Sequence, residues 1–257
     1  MARLQGLFKT DDIRQISPYF APPSRIDSDI PHHKEIDGIS IRYRSKADKI
    51  RPLLPEFFSI EENPIVTVLV IKYGNSPVGP YNELIHYIEV EWKGKIYDYN
   101  FLLLVDNEDS IYSGREMFGF PKVSATFDLT MEPDGRTGFY HAAVRRPSSV
   151  SIVEVLFKAA REVKEPWKNL KQNKGLTIRV VPTPCGIDGG RPIVRQVVEL
   201  GMKLSGGEVH EGVGSISFPI QSEFDPFYKF PVEEYLSCVL LRNVSATMDP
   251  IPVFYDF

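Results

Sequence analysis

Three runs decide the fold: IVTVLVIKY at 65–73, LIHYIEVEW at 84–92 and KIYDYNFLLLV at 95–105. The first is β-branched and largely apolar, as a buried strand is, and the second alternates apolar with polar residues. The third follows after two residues. Three consecutive long strands without an intervening helix predict an antiparallel sheet.

Working outward, GISIRY at 38–43 alternates as a strand does, and SKADKIRPLLP then predicts a short helix with Ser45 as N-cap and Ala47 and Ile50 as its apolar positions before Pro52. Residues 74–83 read as a loop and 106–109 as a polar turn. VSATFDLTM and GFYHAAVRR predict a hairpin across the turn at 133–138. Helical stretches are expected around 154–164, and further strands at 176–181, 193–200, 214–218, 236–247 and 251–255. Residues 1–35 combine a short helix at 11–16 with Pro18, Pro22, Pro23 and Pro31, which predicts an extended N-terminal arm. Twenty-one prolines and eighteen glycines suit many short strands with demanding turns better than a helix bundle. The expected fold class is therefore α+β, mainly antiparallel β, with a barrel-like or sandwich-like sheet and a few covering helices in a single domain spanning 1–257.

A chain of 257 residues and 29.2 kDa has room for one such domain with a substantial core. Its 42% hydrophobic and 25% charged residues describe a folded protein. A net charge of -4, with no block of like charges, argues against nucleic acid as a partner. Neither an apolar leader nor a membrane-spanning run is present in the sequence, so a soluble, cytoplasmic protein is expected. Cys185 and Cys238 are too few for a disulfide framework and lack ligand spacing, which predicts reduced thiols. His32 and His33 have no HExxH context and no evident third ligand; a surface position and no metal are expected. His86 is expected to be a satisfied core or edge histidine. The glycines of GIDGGR and LSGGE read as turns, not as a phosphate loop, and Ser113, Ser148 and Ser149 lack a GxSxG context.

Chemistry concentrates in GREMFGFPK at 114–122. A charged pair, Arg115 and Glu116, precedes the apolar Met117, Phe118 and Phe120, and Pro121 fixes the backbone beside one lysine. Two readings of Lys122 stand side by side. It points to water while the aromatics pack in the core, or the aromatic cluster desolvates it. An amine attacks a carbonyl only through its free lone pair, which an ordinary lysine with a pKa near 10.4 rarely offers at neutral pH. Apolar surroundings or a nearby cation make that pair available.

GREMFGFPK resembles the signature around the Schiff-base lysine of the acetoacetate decarboxylase superfamily, which serves as a standard example of an activated lysine. IRYRSKADKIRPLLPEFFSIEE is similar to that family's early strand, short helix and Pro-Glu loop, and VFYDF at 253–257 to its C-terminal end. The resemblance implies an acetoacetate decarboxylase-like β-barrel or cone, and Lys122 as nucleophile. It also implies an active-site glutamate at Glu83 with Tyr81 nearby, a small keto acid as substrate, no cofactor, and a homo-oligomer. Arg115 and Glu116, candidate substrate-binding residues, are expected to form a buried pair that orients the loop in preference to acting directly, and Phe118 and Phe120 to bind the substrate. Tyr255 either donates to the substrate or anchors the last strand. Two departures stand out: the family's second lysine is Val123 here, and an arginine before its first strand falls near Ile36.

An iminium on Lys122 is an electron sink for a bond one carbon away, which serves more than one reaction. Decarboxylation of an acetoacetate-like β-keto acid is the leading expectation. An aldolase-dehydratase or retro-aldolase using pyruvate and an aldehyde is the alternative within the class. A non-catalytic small-molecule binding protein of the same fold is the alternative outside it.

Overall fold

The computed structural model of the chain describes residues 32–169, 172–184, 188–249 and 251–257. The expected helix at 11–16, most of the N-terminal arm and Cys185 lie outside them.

The three deciding runs form β2 (Ile65–Asn75), β3 (Tyr81–Trp92) and β4 (Lys95–Val105), antiparallel neighbours in a fourteen-stranded sheet. On one side β2 is joined by β1 (His32–Arg44), β13 (Glu234–Met248), β12 (Glu208–Ser217), β8 (Ser151–Glu162), β7 (Tyr140–Arg145) and β6 (Thr126–Thr130), in that order. On the other, β4 is followed by β9 (Gly175–Val181), β10 (Val194–Leu200) and β14 (Val253–Asp256). Two short strands lie off this path, β5 (Lys122–Ser124) on β4 and β11 (Met202–Ser205) on β13. Among the described residues the parallel pairs are those of β4 with β5 and with β9. The mainly antiparallel architecture is as the sequence predicts, but the sheet is not closed by hydrogen bonds: β14 and β6 are its edges.

Alternation along the strands sorts side chains onto two faces. Leu84, Ile88 and Val90 of β3 join Ile39, Ile41, Val66, Val68 and Val70 in the larger core. Ile36, Ile71, Tyr73 and Tyr81 belong to a smaller cluster with Val105, Leu241 and Val244. A cavity opens on this second face.

Several expectations are corrected. Residues 154–164 are not helical: good helix formers at these positions are overridden because β8 pairs with both β7 and β12 and buries Val153, Val155 and Phe157. Residues 32–35, assigned to the arm, begin β1. Ser45 is not an N-cap; its amide bonds to Pro64, and helix α1 (Ala47–Ile50) follows Lys46 without a side-chain cap. The loop at 74–83 is shorter than expected, because Tyr73 and Tyr81 already pair across β2 and β3. The turn at 106–109 is the start of helix α2 (Glu108–Ser113), with the Asn107 side chain accepting from the Ser110 amide at 2.9 Å. Helix α3 covers Pro166–Asn169. Among the described residues no helix is long and apolar enough to cross a membrane.

Candidate active site

The lysine of GREMFGFPK is buried, with 7% of its surface exposed, and so is Glu83 at 3%. Lys122 Nζ lies 2.9 Å from Glu83 Oε1 and donates to Ser110 Oγ at 2.8 Å. The Tyr73 hydroxyl donates to the other carboxylate oxygen of Glu83 at 3.1 Å. Each charge thus faces its opposite together with neutral hydroxyl groups, the condition under which a buried pair survives desolvation.

The local backbone explains the placement. Helix α2 runs on into a π-helical turn, Gly114–Phe118, a geometry frequent at functional sites. Gly119 ends it in the left-handed region at φ 70°, so close to β9 that a Cβ would stand 2.6 Å from Arg179 Cα. Pro121 leads into β5, where Lys122 pairs with Leu103 of β4. Gly114 carries no Cβ because the Lys122 side chain occupies that space, its Cδ 2.8 Å from where a Cβ would be. Arg115 donates to the Lys122 backbone carbonyl at 3.0 Å.

Around the pair lies a cavity of about 270 Å³. Tyr81 and Phe120 present their rings 5.5 and 5.6 Å from Lys122 Nζ, which suits them to a cationic amine or iminium. The rings of Tyr73 and Tyr81 lie tilted against each other with centroids 4.5 Å apart, and the His33 ring lies 5.1 Å from that of Tyr73. Burial first and the Glu83 charge second push the hydroxyls of Tyr73 and Tyr81 well above the ordinary tyrosine range. Both therefore remain neutral donors at any working pH.

Of the residues singled out in the sequence, Lys122, Glu83, Tyr81 and Phe120 meet in this cavity. Glu83 stands on strand β3, not on a loop. Arg115 and Glu116 do not form a buried pair: Arg115 is exposed and clamps the Lys122 backbone, while the Glu116 carbonyl accepts from Arg179 Nε at 2.7 Å. Phe118 packs edge-on to Phe120 at 6.1 Å and does not line the cavity. Tyr255 also lies elsewhere, against Trp92 at 5.0 Å with its hydroxyl 3.3 Å from Glu199, so its place is that of a strand anchor. Val123 projects to the opposite face from Lys122 and packs on the larger core. Ile36 lines the cavity.

Three residues of the site were not foreseen. Ser110 follows its capping Asn107, a signal that locates the turn but not the lysine. Tyr73 closes the first deciding run, and only the register of β2 with β3 brings it to Tyr81 and Glu83. His33, expected at the surface, is 7% exposed and lines the cavity, because β1 begins earlier than its alternation reveals. His86 lies on the other face of β3, surrounded by Phe101, Phe227 and Phe230. Among the described residues no group of His, Cys, Asp or Glu is arranged to hold a metal ion.

The chain is similar to several known proteins. The family description "Acetoacetate decarboxylase (ADC)" matches residues 16–254. The chain is 41% identical over 240 residues to decarboxylase DEC1 of Cochliobolus heterostrophus, covering 93% of this chain and 94% of that one. Its fold is similar to acetoacetate decarboxylase from Legionella pneumophila, with a TM-score of 0.78 and 17% identity over 99% of both chains. It is also similar to the enduracididine biosynthesis enzyme MppR complexed with pyruvate, with a TM-score of 0.70 and 15% identity over 87% of this chain and 90% of that one. The match over residues 16–254 and the 41% identity over nearly the whole length show that the chain belongs to the acetoacetate decarboxylase family.

Proposed function

We propose that the protein is a cofactor-independent lyase that decarboxylates a β-keto acid through a Schiff base on Lys122. Membership in a family of decarboxylases and related lyases supports this reading. The observation that carries it is the Lys122 amine held 2.9 Å from the Glu83 carboxylate inside a cavity.

The ion pair supplies the proton balance. Lys122 passes a proton to Glu83, and the neutral amine attacks the substrate ketone to give a carbinolamine. Glu83 returns the proton to the departing hydroxyl, which leaves as water, and the iminium forms. The bond to the carboxylate then breaks, carbon dioxide leaves, and its electron pair moves into the iminium to give an enamine. A proton from solvent, relayed by Glu83, reaches the enamine carbon. Water, deprotonated by Glu83, attacks the resulting iminium; the methyl ketone departs and the ion pair re-forms. Across the cycle one proton is taken up, and one β-keto acid becomes one ketone and one carbon dioxide.

Lys122 is the only lysine or arginine among the described residues that line the cavity. A substrate carboxylate beside it loses hydration without gaining an arginine, and discharge as neutral carbon dioxide relieves that penalty. The same iminium would serve an aldolase-dehydratase, a reading favoured by the similarity in fold to the pyruvate complex of MppR. Incubation with acetoacetate followed by borohydride reduction should add the substrate-derived mass to Lys122, with carbon dioxide released in unreduced samples. A conjugated product from pyruvate and an aldehyde, without carbon dioxide from any β-keto acid, would shift the assignment to the aldolase. An unmodified Lys122 with every keto acid would leave a non-catalytic binding protein.

A further inference from the structure

The cavity is longer than acetoacetate needs. Glu83, Ile85 and Tyr87 line it from successive same-face positions of β3, so at the strand rise the wall continues about 14 Å beyond Glu83. At the Tyr87 end the surroundings are polar: Asp98, Asn100 and Asn173 line the cavity there, with Asn173 Nδ2 3.1 Å from Asp98 Oδ1. Between the two ends the wall is mainly aliphatic. Leu69 and Ile71 of β2, Ile85 of β3, Leu103 of β4, and Val239 and Leu241 of β13 line the cavity from four strands.

A small keto acid bonded to Lys122 would leave this stretch unused. Ile36 adds to the apolar lining, and with Lys122 the only lysine or arginine among the described lining residues, the head group finds little further charge to hold it. Binding energy therefore has to come from the remote part of the substrate, which an apolar wall supplies by covering methylene groups.

We infer that the site takes β-keto acids carrying an unbranched aliphatic chain beyond the acetoacetate skeleton, with the chain laid along Ile71, Ile85 and Leu241 and its end at the Asp98 and Asn173 rim. The inference rests on the Schiff-base reading for the position of the head group, and its test separates the two. Calorimetric titration with acetone, 2-pentanone, 2-heptanone and 2-nonanone measures the chain alone, and each added methylene is expected to tighten binding roughly fourfold until the rim is reached, the factor that about 0.8 kcal/mol of burial gives. Affinity that stays flat or falls along the series overturns the inference. In Ile85→Thr the ratio of 2-nonanone to acetone affinity should fall severalfold, and an unchanged ratio overturns the placement of the chain. Borohydride trapping of the same ketones reports separately on Lys122. Trapping without a chain-length trend sinks this inference alone, and a chain-length trend without trapping sinks the Schiff base alone.

Discussion

Gly114 makes room for Lys122: a Cβ at position 114 would stand 2.8 Å from the lysine Cδ and 2.9 Å from Cε. Gly114→Ala must therefore push the amine away from Glu83 and Ser110. With a displacement on the order of 1 Å, kcat is expected to fall about 100-fold. Steady-state kinetics with a circular-dichroism check of the fold measure this, and an unchanged kcat would show that the packing of the lysine stem does not set the position of the amine.

Lys122 and Glu83 depend on each other for stability as well as for proton transfer, being 2.9 Å apart and both buried. Glu83→Gln leaves an ammonium unpaired and is expected to cost about 3–5 kcal/mol in unfolding free energy. Lys122→Met in the same background should recover most of that loss while activity remains absent. Urea unfolding of the wild type, both single variants and the double variant gives the coupling, and additive losses would contradict a tight pair.

The Tyr73 hydroxyl holds Glu83 from the side away from Lys122, at 3.1 Å. Tyr73→Phe keeps the ring beside Tyr81 and removes the hydroxyl that reaches Glu83 and Tyr81. A bond to a charged group contributes about 1.5–3 kcal/mol, so activity should drop tenfold or more if Glu83 must be oriented to relay protons. Rates of carbon dioxide release test this, with wild-type values arguing against an orienting role.

His86 sets an acid limit on stability. Burial lowers its pKa to about 3, against 6.5 for a free histidine, so the native state holds it neutral. Below pH 6.5 the unfolded chain binds a proton that the folded chain refuses, and stability falls by up to about 1.4 kcal/mol per pH unit until about pH 3. His86→Phe should fit among Phe101, Phe227 and Phe230 and flatten this slope. Melting temperatures from pH 7 to 4 decide it; parallel slopes in both proteins would place the acid sensitivity elsewhere.

Val123 is the position where the family's second lysine is expected, yet its side chain packs on the larger core, away from the cavity. Val123→Lys should therefore leave the rate of adduct formation on Lys122 unimproved and destabilise the fold by about 1–3 kcal/mol. A faster borohydride-trapped adduct in that variant would mean that the added charge reaches the cavity after all.

Lys122 stood out in the sequence because GREMFGFPK is contiguous and each of its special residues has a local reason: Gly114, Gly119 and Pro121 all shape the turn that places Lys122. Strands β2, β3 and β4 were equally legible, since each carries its own pattern. The strand at 151–162 was not, because its helix-forming residues are held extended by partners on both sides. Tyr255 misled for a related reason: its position near the C-terminus fitted a pocket, while pairing of β14 with β10 carries it to Trp92 and Glu199.

The sequence by itself determined the antiparallel sheet and singled out the lysine, because periodicity and motif are properties of neighbours along the chain, whereas Glu83 was pointed to only by the resemblance to the family. Only the tertiary structure decided which face each side chain takes. Register across β1, β2 and β3 brings His33, Tyr73 and Tyr81 around Glu83, turns His86 to the opposite core and gives the cavity its aliphatic wall. A one-residue change of register would exchange those faces, and register is fixed by the whole sheet and not by any one strand.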